Sequence, residues 1–182
     1  MLGYIPKNWR DVKVAFIPKA GRRPPDEPKF YRPISLTSFL LKTMEKILDE
    51  YIRSQTISRS PLHPKQFAYQ PAKSTTHALH SLVRDIEKTL VTKEVTLCAF
   101  LDIDGAFDNT SHESIQRAAQ NKGIDLVLIN WIKAMLYSRK ISASIEDATI
   151  SVNAIKGCPQ GGVLSLLGAN MMASFLPGCN QP

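Results

Sequence analysis

Gly157-Cys158-Pro159-Gln160-Gly161-Gly162-Val163-Leu164-Ser165 is the stretch on which the reading of this chain turns. Its three glycines let the backbone approach a ligand closely, and a proline of fixed φ stands beside a glutamine whose amide both donates and accepts. In isolation it is a Gly/Pro turn entering a helix, here a small-residue helix cut off by Pro177 and Gly178. Upstream, Val95 to Ile103 is nearly all apolar, which predicts a strand buried on both faces, and it runs into Asp102, Asp104 and Asp108. A carboxylate at the end of an apolar strand is costly to desolvate unless it meets a cation, and a hard metal with oxygen ligands is the usual solution. Asp102 and Asp104, two residues apart, would share one side of a continuing strand. Aspartates also open turns at strand ends, so this segment alone leaves both readings standing.

Three motif classes compete for Phe100 to Asp108. An EF-hand loop beginning at Asp102 needs glycine at its sixth position and finds Phe107. A phosphatase of the haloacid dehalogenase type also joins an apolar strand to Asp-x-Asp-Gly, with the first Asp as nucleophile, but expects Thr or Val where Ala106 follows Gly105. A template-directed polymerase palm ends a central strand in Asp and places an aromatic residue five positions later, as Asp102 and Phe107 stand here. The Pro-Gln-Gly stretch separates the last two, because a phosphatase has no use for it.

Outward from these segments the periodicities define an α+β chain. Val12 to Lys19 alternates as a strand, with Val12, Val14 and Phe16 at period two. A charged, Pro-rich loop follows over Arg22 to Lys29. Thr37 to Ser54 is predicted helical, with a core stripe of Leu40, Leu41, Met44, Ile47, Leu48 and Tyr51. Pro61, Pro64 and Pro71 make Ser58 to Pro71 irregular, and Ser74 to Leu90 is a second helix with Leu79, Leu82, Val83, Ile86 and Leu90 on one face. Thr110 and Glu113 have capping-box spacing, opening a helix to Asn121. A further helix covers Leu126 to Tyr137, and Lys140 to Ile145 with Thr149 to Ile155 form a hairpin around Glu146-Asp147.

Composition narrows the classes further. The 182 residues are 43% hydrophobic, enough for a sizeable core, and no apolar run approaches the ~20 residues that cross a bilayer, so no membrane partner is expected. The first residues lack a basic segment leading into an apolar stretch, so no secretory signal is read and a cytoplasmic or nuclear compartment is expected. Cys98, Cys158 and Cys179 form no CxxC pair and are expected as free thiols. Lys plus Arg (23) exceed Asp plus Glu (16), a net charge of +7 that favours a polyanionic partner, although many soluble proteins share such a balance.

Taken together, the Asp102 and Pro-Gln-Gly segments resemble reverse transcriptases. Ala15-Phe16-Ile17-Pro18-Lys19 and Phe30-Tyr31-Arg32-Pro33-Ile34-Ser35-Leu36 look like the fingers of the non-LTR retrotransposon enzymes, closest to the Jockey-like group. Gln66-Phe67-Ala68-Tyr69-Gln70-Pro71-Ala72-Lys73-Ser74-Thr75 is similar to the family segment that lies against template and primer. Two departures stand out. The family continues Leu-Ser-Pro-Leu-Leu where this chain reads Leu164-Ser165-Leu166-Leu167-Gly168-Ala169, and no Asp-Asp dipeptide, the second palm motif, occurs anywhere in it.

The resemblance implies a partial right-hand polymerase, with residues 1–94 mainly fingers and 95–182 a partial palm, the thumb and Asp-Asp motif being absent. It implies an RNA template, a DNA primer, deoxynucleoside triphosphates and two Mg²⁺ ions in the complete parent. Asp102, with the Ile103 carbonyl, would serve the metals; Lys19 and Arg32 would hold the triphosphate; Phe107 would stand under the sugar; and Gln160 would position the nucleotide. Asp104 and Asp108 would orient the strand turn. The chain alone is expected to be inactive, and the alternatives are a non-catalytic nucleic-acid-binding remnant or the phosphatase.

Overall fold

Alternating β-branched and aromatic residues put Asp11–Pro18 (β1) and Tyr31–Leu36 (β2) into an antiparallel pair, and the same alternation builds Lys140–Ile145 (β3) and Ala148–Asn153 (β4). These relations come from a computed structural model that describes residues 4–20, 27–103, 105–145 and 147–165. The four strands form one sheet in the order β2-β1-β3-β4, in which β1 and β3 run parallel with Val12 beside Ile141. Val12, at that central junction, is fully buried, whereas Phe16, Ile145 and Ile150 toward the strand ends and the edge are exposed. The expected hairpin pairing of Lys140–Ile145 with the following strand is present, with Ile145 opposite Ala148, and β2, for which periodicity gives no signal, pairs in the same way with β1.

The core lies among helices. Lys7–Arg10 (α1) leads into β1; Phe39–Ile52 (α2), His112–Asn121 (α5) and Leu126–Tyr137 (α6) enclose a cluster that includes Ile5, Leu41, Ile52, Ala119, Trp131 and Met135. Burying each large apolar side chain contributes about 1.5–3 kcal/mol, so this cluster is the main source of cohesion. The buried stripe of α2 is Leu41, Glu45, Leu48 and Ile52, with Met44 half-buried. Leu40, Ile47 and Tyr51, expected in the core, are exposed, because the helix is rotated toward the side that carries Glu45. Past Ile52 the helix loosens into a π turn over Arg53–Ile57.

The largest departure from the sequence reading concerns Val95 to Ile103. This segment has no regular secondary structure and pairs with no described strand, and Val95 and Leu101 are 96% and 94% exposed. A strand needs ladder partners to satisfy its N–H and C=O groups, and the sheet closes its own order, β2 to β4, without it. The helix before it, Thr75–Val91 (α3), is capped by Ser74 Oγ accepting from the His77 N–H at 3.2 Å, yet none of its residues is buried, including the apolar face from Leu79 to Leu90.

A smaller correction concerns α5. Its cap is Ser111, whose Oγ accepts from the Ser114 N–H at 3.0 Å, rather than Thr110. Thr110 Oγ1 instead donates to the Ala106 carbonyl, and Glu113 pairs with Arg117 at 3.2 Å, one turn on. Cys98 and Cys158 are free thiols, while Cys179, Asp104, residues 21–26 of the Pro-rich loop and most of the helix expected after Gly162 lie outside the described residues. Among the described residues, no helix is long and apolar enough to cross a membrane.

Candidate active site

The β1–β2 hairpin presents the two cations. Arg32 stands opposite Ile17, and the Lys19 N–H donates to the Phe30 carbonyl at 2.8 Å, extending the ladder beyond Pro18 and Tyr31. Strand alternation therefore brings Lys19 and Arg32 to one face, and both are exposed.

Three residues along β2, the Ser35 N–H donates to the Gln160 carbonyl at 2.9 Å, which ties the Pro-Gln-Gly turn to the hairpin. On its other side the turn is tied to the segment after Asp102. Gly105, at φ 59°, swings the chain into the short helix Ala106–Asn109 (α4). The carbonyls of Phe107 and Thr110 then accept from the N–H groups of Cys158 (2.8 Å) and Gly157 (2.7 Å). Gly157 is at φ 78°, and a Cβ there would meet the Asp108 carbonyl oxygen at 2.8 Å, so the approach is open to glycine alone. Phe107 and Gln160, far apart in sequence, are thus joined through one backbone seam, with Pro159 buried between them. The Gln160 Oε1 is buried and has no hydrogen-bond partner among the described residues.

Behind the seam lie three ionisable residues that periodicity did not reveal. Glu45 is fully buried, and its Oε2 accepts from the Val163 N–H at 2.8 Å, at the start of the helical turn that follows the glycines. Burial pushes its carboxyl above the ordinary value, against the backbone bonds and nearby cations that lower it. Arg139 (3% exposed) donates from Nη2 to the Gly157 carbonyl at 2.7 Å, and burial lowers its guanidinium. His112 (2% exposed) lies 3.0 Å from the same carbonyl through Nε2, which must carry the proton because a carbonyl only accepts; burial lowers its imidazole. A glutamate inside an otherwise apolar helical stripe was the one readable signal; His112 and Arg139 gain meaning only from contacts distant in sequence.

Asp102 and Ile103 sit at the end of the exposed segment, and among the described residues no three His, Cys, Asp or Glu side chains converge as a metal site. One exposed carboxylate does not fit a two-metal centre, so no metal-dependent step is assigned to this chain by itself. Two clefts open on the surface, the smaller of them beside the seam. One of about 300 Å³ opens between the sheet face bearing Val14, Phe16 and Ile141 and the residues Asp108, Lys156 and Gly157. The other, about 580 Å³, is bordered by Lys65, Lys73, His77, His80 and Arg84. Within it Lys65 pairs with Asp85 at 2.9 Å, and Lys73 Nζ donates to the Pro64 carbonyl at 2.6 Å.

Residues 17–179 match the family model described as reverse transcriptase (RNA-dependent DNA polymerase). This chain belongs to the reverse transcriptase family. Over 180 residues it is 32% identical to the RNA-directed DNA polymerase from mobile element jockey of Drosophila melanogaster, covering 97% of this chain and 19% of that protein. The jockey polymerase of Drosophila funebris is 32% identical over 182 residues, again with 19% of its length covered. The probable RNA-directed DNA polymerase from transposon BS of Drosophila melanogaster is 27% identical over 175 residues. The chain is thus a Jockey-like reverse transcriptase fragment spanning about a fifth of the length of these relatives, and its mixed sheet and helices are those of a reverse transcriptase-like domain. Reverse transcriptases as a family work with a divalent metal, a nucleic acid template and primer, and nucleotides.

Proposed function

We propose that this chain forms the nucleotide-holding part of a retrotransposon reverse transcriptase, with residues 1–94 contributing mainly fingers and the remainder a partial palm. The observation that carries this reading is the seam from Ser35 through Gln160 and Cys158 to Phe107, which joins the three segments resembling the family's nucleotide-contacting motifs. Lys19 and Arg32 hold the triphosphate, Lys as a compact point charge and Arg as a planar fork. Phe107 lies against the sugar and disfavours a 2′-hydroxyl, while the half-buried Gln160 orients the nucleotide. In a longer parent Asp102 and the Ile103 carbonyl would help hold divalent ions such as Mg²⁺, which would supply charge neutralisation for nucleotide addition to a primer 3′-end with release of pyrophosphate.

The Lys65 to Arg84 cleft supports the accompanying claim that an RNA template and DNA primer lie along the basic side. Equilibrium binding of a deoxynucleoside triphosphate with Mg²⁺, and separately of an RNA/DNA duplex, tests both. Lys19→Ala and Arg32→Ala should each weaken nucleotide binding about ten-fold with little effect on the duplex. Raising salt from about 50 to 200 mM should weaken duplex binding steeply. Duplex binding without nucleotide binding would favour the nucleic-acid-binding remnant. Phosphate release from a small phosphoester, lost in Asp102→Asn and kept in Gln160→Ala, would favour the phosphatase.

A further inference from the structure

The Gly157 carbonyl receives two donors from two separate elements. Arg139, at the junction of α6 and β3, reaches it at 2.7 Å, and His112, the first residue of α5, at 3.0 Å. Both side chains are almost wholly buried, and His112 is further fixed edge-on against Tyr137, ring centroids 4.7 Å apart. A carbonyl oxygen has two lone pairs, so this one is saturated, one of its bonds being charge-assisted. The Gly157 N–H is held by the Thr110 carbonyl and the next N–H by the Phe107 carbonyl, so the Gly157–Cys158 peptide cannot rotate without breaking the bonds of both its carbonyl and its N–H at once.

Burying a guanidinium is costly, and helix packing alone would be served by an apolar side chain. The arrangement does something packing does not: it fixes the spacing between Phe107 and Gln160, which the seam joins through Cys158 and Pro159. We infer that Arg139 and His112 are positioning residues that, through the Gly157 carbonyl, hold Phe107 and Gln160 at the separation that discriminates a deoxyribose from a ribose triphosphate. This inference rests on the nucleotide-holding reading above and adds to it two residues outside every motif of the sequence.

The test pairs two measurements on the intact chain: hydrogen exchange at the Gly157 and Cys158 amides, and the ratio of affinities for a deoxy- and a ribonucleoside triphosphate with Mg²⁺. Arg139→Met should speed exchange at these amides about ten-fold, leave α6 and β3 protected, and lower the deoxy-to-ribo ratio toward that of Phe107→Ala. The Arg139→Met/Phe107→Ala double variant should fall no further, since both act through one contact. His112→Gln, whose side-chain amide can still donate, should stay close to the unmodified chain in both measurements, and it remains informative if Arg139→Met does not fold. Unchanged amide exchange in Arg139→Met, an unchanged ratio despite faster exchange, or a His112→Gln variant as impaired as Phe107→Ala would overturn the inference. An unmodified chain that binds neither nucleotide would overturn the nucleotide-holding reading itself, and with it the sugar role, whatever the exchange rates.

Discussion

The Pro-Gln-Gly turn and the Val95 to Ile103 segment are the two stretches most telling in the sequence, and the structure treats them in opposite ways. The turn is rich in polar backbone and lies largely buried, its carbonyls and N–H groups engaged by β2, α4, α5 and the end of α6. The segment is almost entirely apolar and stands in solvent, with Leu97 95% exposed. The difference teaches that burial follows from available partners rather than from hydropathy. The turn's partners, Ser35, Phe107, His112 and Arg139, are all within the described residues, whereas the segment meets no strand there.

The largest effect should come from supplying the exposed segment with partners. The chain alone is expected to give no primer extension on an RNA template with Mg²⁺. Joined to the downstream portion of a jockey-type relative, it should extend primers, and Asp102→Ala should reduce that activity by at least about 10³-fold. Extension by the unjoined chain would break the contrast outright.

Hydrogen exchange sharpens the same contrast without chemistry. Amides of Val95 to Ile103 should exchange near unfolded-chain rates, while Val12 and Ile141 at the β1–β3 junction should be slower by about 10³-fold or more. Comparable protection in both places would mean that the segment pairs in solution.

Substitution should divide the molecule along the same line. Leu41→Ala, in the α2 core, should cost about 3 kcal/mol in urea denaturation, because a fully buried leucine leaves a cavity. Leu101→Ala should change stability by less than about 0.5 kcal/mol. A cost for Leu101→Ala near that of Leu41→Ala would put the segment inside the core.

The smallest effect expected is that of pH on the clamp. Burial holds the His112 pKa below its ordinary 6.5, so the unfolded chain binds this proton more readily than the folded one. Its contribution to stability is therefore complete above about pH 6.5 and declines as pH falls toward the folded value, by up to about 1.4 kcal/mol per pH unit. His112→Gln should flatten that part of the stability profile, and an unchanged profile would show that His112 does not titrate as its burial demands.

Much of this was legible beforehand, for local reasons. The helix Leu126 to Tyr137 and the Lys140 to Ile145 strand were read at their observed limits because period and breakers agree there. Thr110 has the capping-box partner Glu113 three residues on, whereas Ser111 is followed at that spacing by Ser114; the cap falls on Ser111 through backbone geometry that spacing does not reveal. Of the site, Lys19, Arg32, Phe107 and Gln160 are legible through motif resemblance. Glu45 is hidden in a helical stripe that is read by its apolar members, and His112 and Arg139 give no local signal because their shared acceptor, Gly157, is distant from both in sequence.

The parallel pairing of β1 with β3 has a consequence for how the chain folds. β1 ends at Pro18 and its parallel neighbour begins at Lys140, so the hairpin bearing Lys19 and Arg32 gains its second flank only after most of the chain is made. Joining such distant strands incurs loop-closure entropy before any contact rewards it, which makes this pairing a slow step of folding. Until it forms, a growing polypeptide carries an open β-ribbon with Val12 uncovered. A ribosome-bound intermediate stalled before residue 140 would therefore be the species most prone to capture by chaperones or by its own kind.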